Sequence, residues 1–162
     1  MQIEAEPRKV GRDVGSIDTM AEAPFYIPAT SPSARARRTL KHGDTFAVFD
    51  SHGDMGASAG GPDGLFDRDT RYLSRFELLI DGMQPLLLGS SVRDDNLTLT
   101  ADLTNPDIFF EGRIVLPRDT LHIVRTAYLW NGVAHQRIAI GNQGETSADF
   151  TLALSFGNDF AD

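Results

Sequence analysis

Two dipeptides, Asp81-Gly82 and Asn131-Gly132, each set between stretches of β-forming residues, constrain this 162-residue chain more than any other feature. Asp or Asn followed by Gly supplies the two left-handed positions of a two-residue hairpin, so each pair predicts two antiparallel strands joined by a tight turn. The first hairpin is expected to join Arg71–Ile80 to a return strand over Gln84–Val92. The second joins Thr120–Trp130 to Val133–Gly141.

Other segments read the same way. Thr45–Asp50 is a short run of β-formers, and Arg113–Leu116 is another. From Asn96 to Leu103 the chain alternates, with Leu97, Leu99, Ala101 and Leu103 on one face and polar residues on the other. Ser147–Phe156 alternates too, which predicts Phe150, Leu152, Leu154 and Phe156 inward and Asp149, Thr151, Ala153 and Ser155 outward. No stretch of ten or more residues carries a helical stripe, and no fixed-period repeat suggests a propeller or solenoid. The expected fold is all-β: antiparallel layers packed face to face as a β-sandwich.

Composition divides the chain. Residues 1–39, rich in Pro, Ala, Ser and Arg without period, predict a flexible N-terminal tail, and 40–162 the sandwich domain. Residues 1–41 hold seven Lys or Arg against five acids, whereas 42–162 hold eight Arg against eighteen acids. An acidic body repels phosphate, so neither nucleic acid nor an anionic membrane surface is an expected partner. The basic cluster Arg35, Arg37, Arg38 and Lys41 has no interleaved aromatic residue for stacking and reads as a solvated linker. No apolar run approaches the ~20 residues of a membrane-spanning helix, and no secretory leader is legible, which makes the cytoplasm the expected location. The chain stops at FGNDFAD soon after an amphipathic strand, and truncation at the C-terminus is expected from that.

The candidates for chemistry are few. Zero cysteines exclude disulfides, thiolate metal sites and cysteine nucleophiles. His42, Asp44, Asp50, His52 and Asp54 carry the donor atoms for a transition metal, but in no recognised spacing. Asp63, Asp67 and Asp69 lack the closing Glu of a calcium loop. No metal is expected. The glycine-rich segment Ser51–Gly64 ends in neither a P-loop nor a dinucleotide fingerprint, so no cofactor is expected either, although loops of that length usually serve something. Asp67 and Asp69, two apart, would point the same way in an extended segment and could converge as a glycosidase pair. Arg68 and Arg71 beside them favour ionised carboxylates, which suits hydroxyl binding better than acid catalysis. Tyr72, Tyr128 and Trp130 fall at strand positions as packing residues or as a platform for sugar rings. His122 and His135 fall on the two arms of the second hairpin in structural roles.

Gly64-Leu65-Phe66, Asp69-Thr70-Arg71-Tyr72-Leu73-Ser74 and the strand end Ile80-Asp81-Gly82 resemble the N-terminal domain of bacterial glycogen debranching enzymes of the amylo-alpha-1,6-glucosidase type. HGDTFAVFDSHGDM before them, and LPRDTLHIVRTAYLWNG and SFGNDFAD after them, are similar too, so the resemblance runs from about Leu40 to Asp162. It implies a supersandwich-like β domain that precedes a catalytic (α/α)6 barrel in the same polypeptide. The barrel carries the catalytic carboxylates, so no catalytic residue is assigned here. An accessory, non-catalytic domain that packs on the barrel and helps shape the site of an α-glucan or oligosaccharide is expected; the alternative is a free-standing carbohydrate-binding module. The resemblance implies that Phe66, Asp69, Thr70 and Arg71 face the barrel or its sugar, and Asp67 joins them on its chemistry.

Overall fold

The structure, a computed structural model, describes residues 36–56 and 60–161. The expectation of a flexible tail falls, through residue 35, outside the described residues. Twelve strands make up the described part, and no helix is present among the described residues. β1 (Arg38–His42), β2 (Thr45–Phe49), β3 (Gly64–Asp67) and β4 (Thr70–Leu73) form one antiparallel sheet in chain order. β6 (Leu86–Val92), β7 (Thr98–Thr104), β10 (Leu121–Trp130) and β11 (Val133–Asn142) form a second, ordered β11-β10-β7-β6. β5 (Arg75–Ile80) pairs with β12 (Leu152–Gly157), and β8 (Ile108–Phe110) with β9 (Arg113–Leu116). The described part is all-β and antiparallel, as expected.

The second sheet is the base on which the rest is laid. Leu99, Ala127 and Leu129 from its inner face pack with Leu40, Ala47, Phe49, Met55 and Phe76, and Leu65 and Leu73 lean on the same cluster. Farther along the same strands, Ala101, Leu103, Leu121 and Ile123 pack with Leu78 and Ile80 of β5 and with Ile108 and Leu116 of the β8–β9 hairpin. β1–β4, with Met55 and Phe76, therefore cover one half of the base, and the rest of β5 with the β8–β9 hairpin the other. Each fully buried Leu or Ile contributes about 1.5–3 kcal/mol, which makes these two clusters the source of cohesion.

Asn131-Gly132 makes the predicted hairpin: Trp130 pairs with Val133 and the ladder runs back to Leu121 opposite Asn142. The other predicted hairpin does not form. Ile80 and Met83 close the Asp81-Gly82 turn with one bridge, but β5 then pairs with β12 and β6 with β7. Pro85, two residues past the turn, has no amide hydrogen to continue a ladder, and the chain turns away to the other layer. The single strand expected over Arg71–Ile80 is likewise two, because the chain changes sheets at Ser74, whose amide donates to Gly157 O at 2.9 Å. Such corners are how one strand run serves both layers of a sandwich.

β12 brings a further correction. Its Leu152, Leu154 and Phe156 lie opposite Ile80, Leu78 and Phe76 and share their face, yet remain 41%, 41% and 64% exposed. β12 is an edge strand with a partner on one side only, so its apolar side chains face inward without being covered. Of the basic cluster, Arg35 lies outside the described residues and the rest is not a free linker: Arg38 and Lys41 belong to β1, Arg37 Nε pairs with Asp63 at 3.1 Å, and Arg38 Nε donates to Ser90 Oγ at 3.3 Å.

Candidate functional site

Among the described residues, four reversals with left-handed residues at both central positions share nearly one backbone shape. Asp81-Gly82 has φ values of 47° and 76°, Glu111-Gly112 48° and 75°, and Asn131-Gly132 48° and 74°. Arg68-Asp69, joining β3 to β4, has 48° and 70°. Three of the four put glycine second, where the positive φ carries no steric penalty; the fourth puts an aspartate there. Asp69 thus occupies a backbone conformation that glycine would adopt with less strain, and its carboxylate makes no hydrogen bond or ion pair with any described residue.

That turn separates the candidate residues onto different faces. Asp67 lies opposite Thr45 and Thr70, and its Oδ1 accepts from Thr45 Oγ1 at 2.7 Å. Phe66, one residue back, points to the other face of the sheet, where its ring stacks on Phe46 with centroids 4.5 Å apart and planes 6° from parallel. Arg71 lies on the Phe66 face, with Cζ 5.9 Å from that ring. Asp67 and Asp69 do not run side by side along an extended segment: the strand ends at Asp67 and Asp69 is in the turn. Lys41, Gly43, Asp44, Phe46, Arg68 and Asp69 together line a shallow pocket at this end of the sheet.

Arg71 is occupied by its own protein. Nε donates to Asp159 Oδ1 at 2.9 Å and Nη2 to Asp159 Oδ2, while Nη1 reaches Gly61 O at 2.8 Å and Asp63 O at 3.4 Å. Four of its five N–H groups are thereby used, and its backbone amide also holds Ala161 O at 2.8 Å. The hydrogen bond with Asp159 raises the Arg71 pKa further and holds the Asp159 carboxyl below the usual carboxylate range. Arg71 therefore clips the loop before β3 to the segment after β12.

The polar run Asp50–Asp54 has a different role from the metal ligation weighed for it. Asp50 Oδ1 accepts from the amides of His52 at 2.8 Å and Asp54 at 3.0 Å, which folds the loop on itself. Asp54 then meets Arg125, a β10 residue only 1% exposed: Nη1 donates to Asp54 Oδ1 at 2.5 Å and to His52 O at 3.0 Å, and Nη2 to Gly53 O at 2.8 Å. Gln136, its amide oxygen turned toward the guanidinium, accepts from Nε at 2.9 Å and Nη2 at 3.1 Å. Asp54 also accepts from Leu78 N at 3.1 Å and Gln84 Nε2 at 3.0 Å, so the buried pair is hydrogen-bonded throughout. No group of three or more potential metal ligands occurs among the described residues. Arg125 gave a sequence signal that went unread: it stands at a core-facing position between Ile123 and Ala127, where an arginine must bring a carboxylate inside with it.

Of the histidines on the second hairpin, His122 Nε2 lies 3.3 Å from Asp102 Oδ1, and His135 stacks on Tyr128 at 4.5 Å. Sequence reasoning also missed how closely the turns gather. Arg68 N donates to Asp44 O at 3.3 Å, Gly132 abuts Thr45, and the Trp130 ring lies 5.0 Å from that of His42. The β1–β2, β3–β4 and β10–β11 turns thus form one end of the molecule.

A family model described as the N-terminal domain of (some) glycogen debranching enzymes matches residues 40–162. No curated protein and no solved structure matches the chain.

Proposed function

The chain belongs to the family of glycogen debranching enzyme N-terminal domains, and from that premise we propose that it is a non-catalytic domain that packs on an (α/α)6 catalytic barrel of the same polypeptide and helps shape its α-glucan site. The observation that carries this reading is the span of the match, which takes in every described strand except the first two residues of β1. Two structural features support it. Leu152, Leu154 and Phe156 on the edge strand β12 are exposed on their apolar side, a surface suited to burial against a neighbouring domain. The Asp67–Thr70 turn presents an aspartate in a strained position with its carboxylate unspent, and strain of that kind gathers where function requires a side chain. Phe66 and Arg71 position this turn from beneath; Asp67, Asp69 and Thr70 form its sugar-side or barrel-side rim.

The test uses the polypeptide that carries the domain. Its reading frame should continue into a long helical catalytic region, and glucose release from a branched α-glucan should fall in the Leu154→Asp, Phe156→Asp double variant while the 162-residue chain alone releases none. Glucose release by the chain alone, lost in Asp67→Asn or Asp69→Asn, would instead make it a hydrolase. A reading frame that closes at Asp162, with the chain retained on glycogen, would favour the free-standing carbohydrate-binding module.

A further inference from the structure

We propose that Trp130 is a stacking platform for a glucosyl ring of a neutral α-glucan, at the end of the molecule where the three turns meet. This rests on the reading of the domain as part of an α-glucan enzyme and assigns that sugar a contact outside the Asp67–Arg71 segment. Trp130 is the last residue of β10 and is 54% exposed; His42 approaches it at 5.0 Å with planes tilted by 42°, which leaves much of the indole surface to solvent. An indole buries well against the C–H face of a pyranose, while a sugar's hydroxyls need donors and acceptors around the ring.

The surrounding turns supply them. Asn131 adjoins the indole, and Asp44 and Asp69 rim the neighbouring turns; none of the three side chains is hydrogen-bonded or ion-paired with a described residue. Arg68 stands with Asp44 and Asp69, no closer than 4.0 Å to Asp67 and 83% exposed, while Lys41 lies on the face of β1 opposite His42. Acidic, basic and amide groups are mixed here, on a body of net charge −8, which fits a neutral polyhydroxyl ligand better than an anionic one. From His42 through Thr45 and Asp67 to Thr70 the registered row crosses three strand spacings, about 14 Å; Thr45 within it is buried, so a ligand stacked on Trp130 continues toward the Arg68-Asp69 turn over the strand ends, past Asp44, whose carbonyl accepts from Arg68 N.

Trp130 is the only tryptophan in the chain, so its fluorescence reports this place alone. Titration of the full 162-residue chain with maltoheptaose should reduce acrylamide quenching by roughly half as a sugar ring covers one face of the indole, and the β-linked cellohexaose should not. In parallel, Trp130→Ala should weaken retention on glycogen about tenfold, the worth of one aromatic contact, without lowering the melting temperature, and Trp130→Phe should restore most of it. Unchanged quenching in a chain that glycogen still retains would overturn the assignment of Trp130 and leave the α-glucan reading standing. Loss of retention in Trp130→Ala accompanied by a large fall in melting temperature, with no rescue by Phe, would also overturn it, since the ring would then belong to the fold. No retention of the wild-type chain on glycogen, together with separate melting of the catalytic domain in the Trp130→Asp polypeptide, would overturn it in favour of a protein contact.

Discussion

Replacing Asp69 by glycine should make the domain more stable, although it removes a side chain. The φ of Asp69 is 70°, close to the 74° to 76° of Gly82, Gly112 and Gly132 at the same position of the other three turns. A left-handed conformation costs an L-residue roughly 1–2 kcal/mol, aspartate lying at the low end because its short side chain tolerates the region. Against that relief stands the greater freedom glycine gives the unfolded chain, roughly 0.4–1 kcal/mol. The Asp69 carboxylate has no partner among the described residues, so no contact is subtracted, and the net gain is about 0.5 kcal/mol. For a domain of this size that is a rise in melting temperature of roughly 1–3 °C. Calorimetry of the two proteins at pH 7 measures it, with Gly132→Asp, the reverse change on the same backbone shape, expected to fall by a similar amount. Should Asp69→Gly melt lower than wild type, the carboxylate holds the fold together and strain is the wrong account of this turn. If the carboxylate binds sugar hydroxyls, the stabilised variant should also bind glycogen about ten- to a hundredfold more weakly, the usual worth of a charged hydrogen bond.

Asp54→Ala leaves the Arg125 guanidinium buried without its carboxylate and should cost about 3–5 kcal/mol in urea unfolding; a loss below about 1 kcal/mol would mean that the three oxygen acceptors His52 O, Gly53 O and Gln136 Oε1 suffice. Gly64→Ala would set a Cβ 2.7 Å from Leu73 O and from Arg71 Cδ at a φ of 154°, so the same experiment should show a loss of about 1–3 kcal/mol, and a neutral result would show that β3 and β4 can part without penalty. Because its bond to Arg71 depresses the Asp159 pKa, the stabilisation from that clip is fully present above the ordinary carboxylate value near 3.9 and is lost as pH falls through the depressed one. The difference in melting temperature between wild type and Asp159→Asn should therefore be constant from pH 7 to about 5 and shrink toward pH 2; a difference independent of pH would refute the linkage.

The sequence pattern revealed what local chemistry alone decides. Alternation along Leu97–Leu103 and the Asn131-Gly132 turn led directly to β7, β10 and β11, because a glycine turn with uninterrupted donors on both sides has one outcome. Asp81-Gly82 looked equivalent and was not: Pro85 stops its ladder, and the true partner of β5 is β12, beyond the reach of any local signal. The candidate residues Phe66–Arg71 were found together, but their division between two faces required the Arg68-Asp69 reversal, which carries no glycine to mark it. Arg125 was legible as a charge at a core-facing position, yet its partner Asp54 lies in a loop whose composition suggested ligands rather than a buried ion pair.

The seam between β5 and β12 also has a consequence for time. The β10–β11 hairpin closes across two residues and can form as soon as it is made, whereas Ile80 must wait for Leu152, about seventy positions later. Closure over such a separation is entropically expensive and slow, and topologies dominated by it fold orders of magnitude later than local hairpins do. Until β12 arrives, Phe76, Leu78 and Ile80 lack the strand that completes their sheet, and the other edge of β5 is occupied by the loop hydrogen bonds at Met55 and Asp54 and by the Ile80–Met83 bridge. β12, the last of the described strands to be made, is thus the one that ends the nascent domain's exposure, and the interval before it docks is when chaperones have the most to shield.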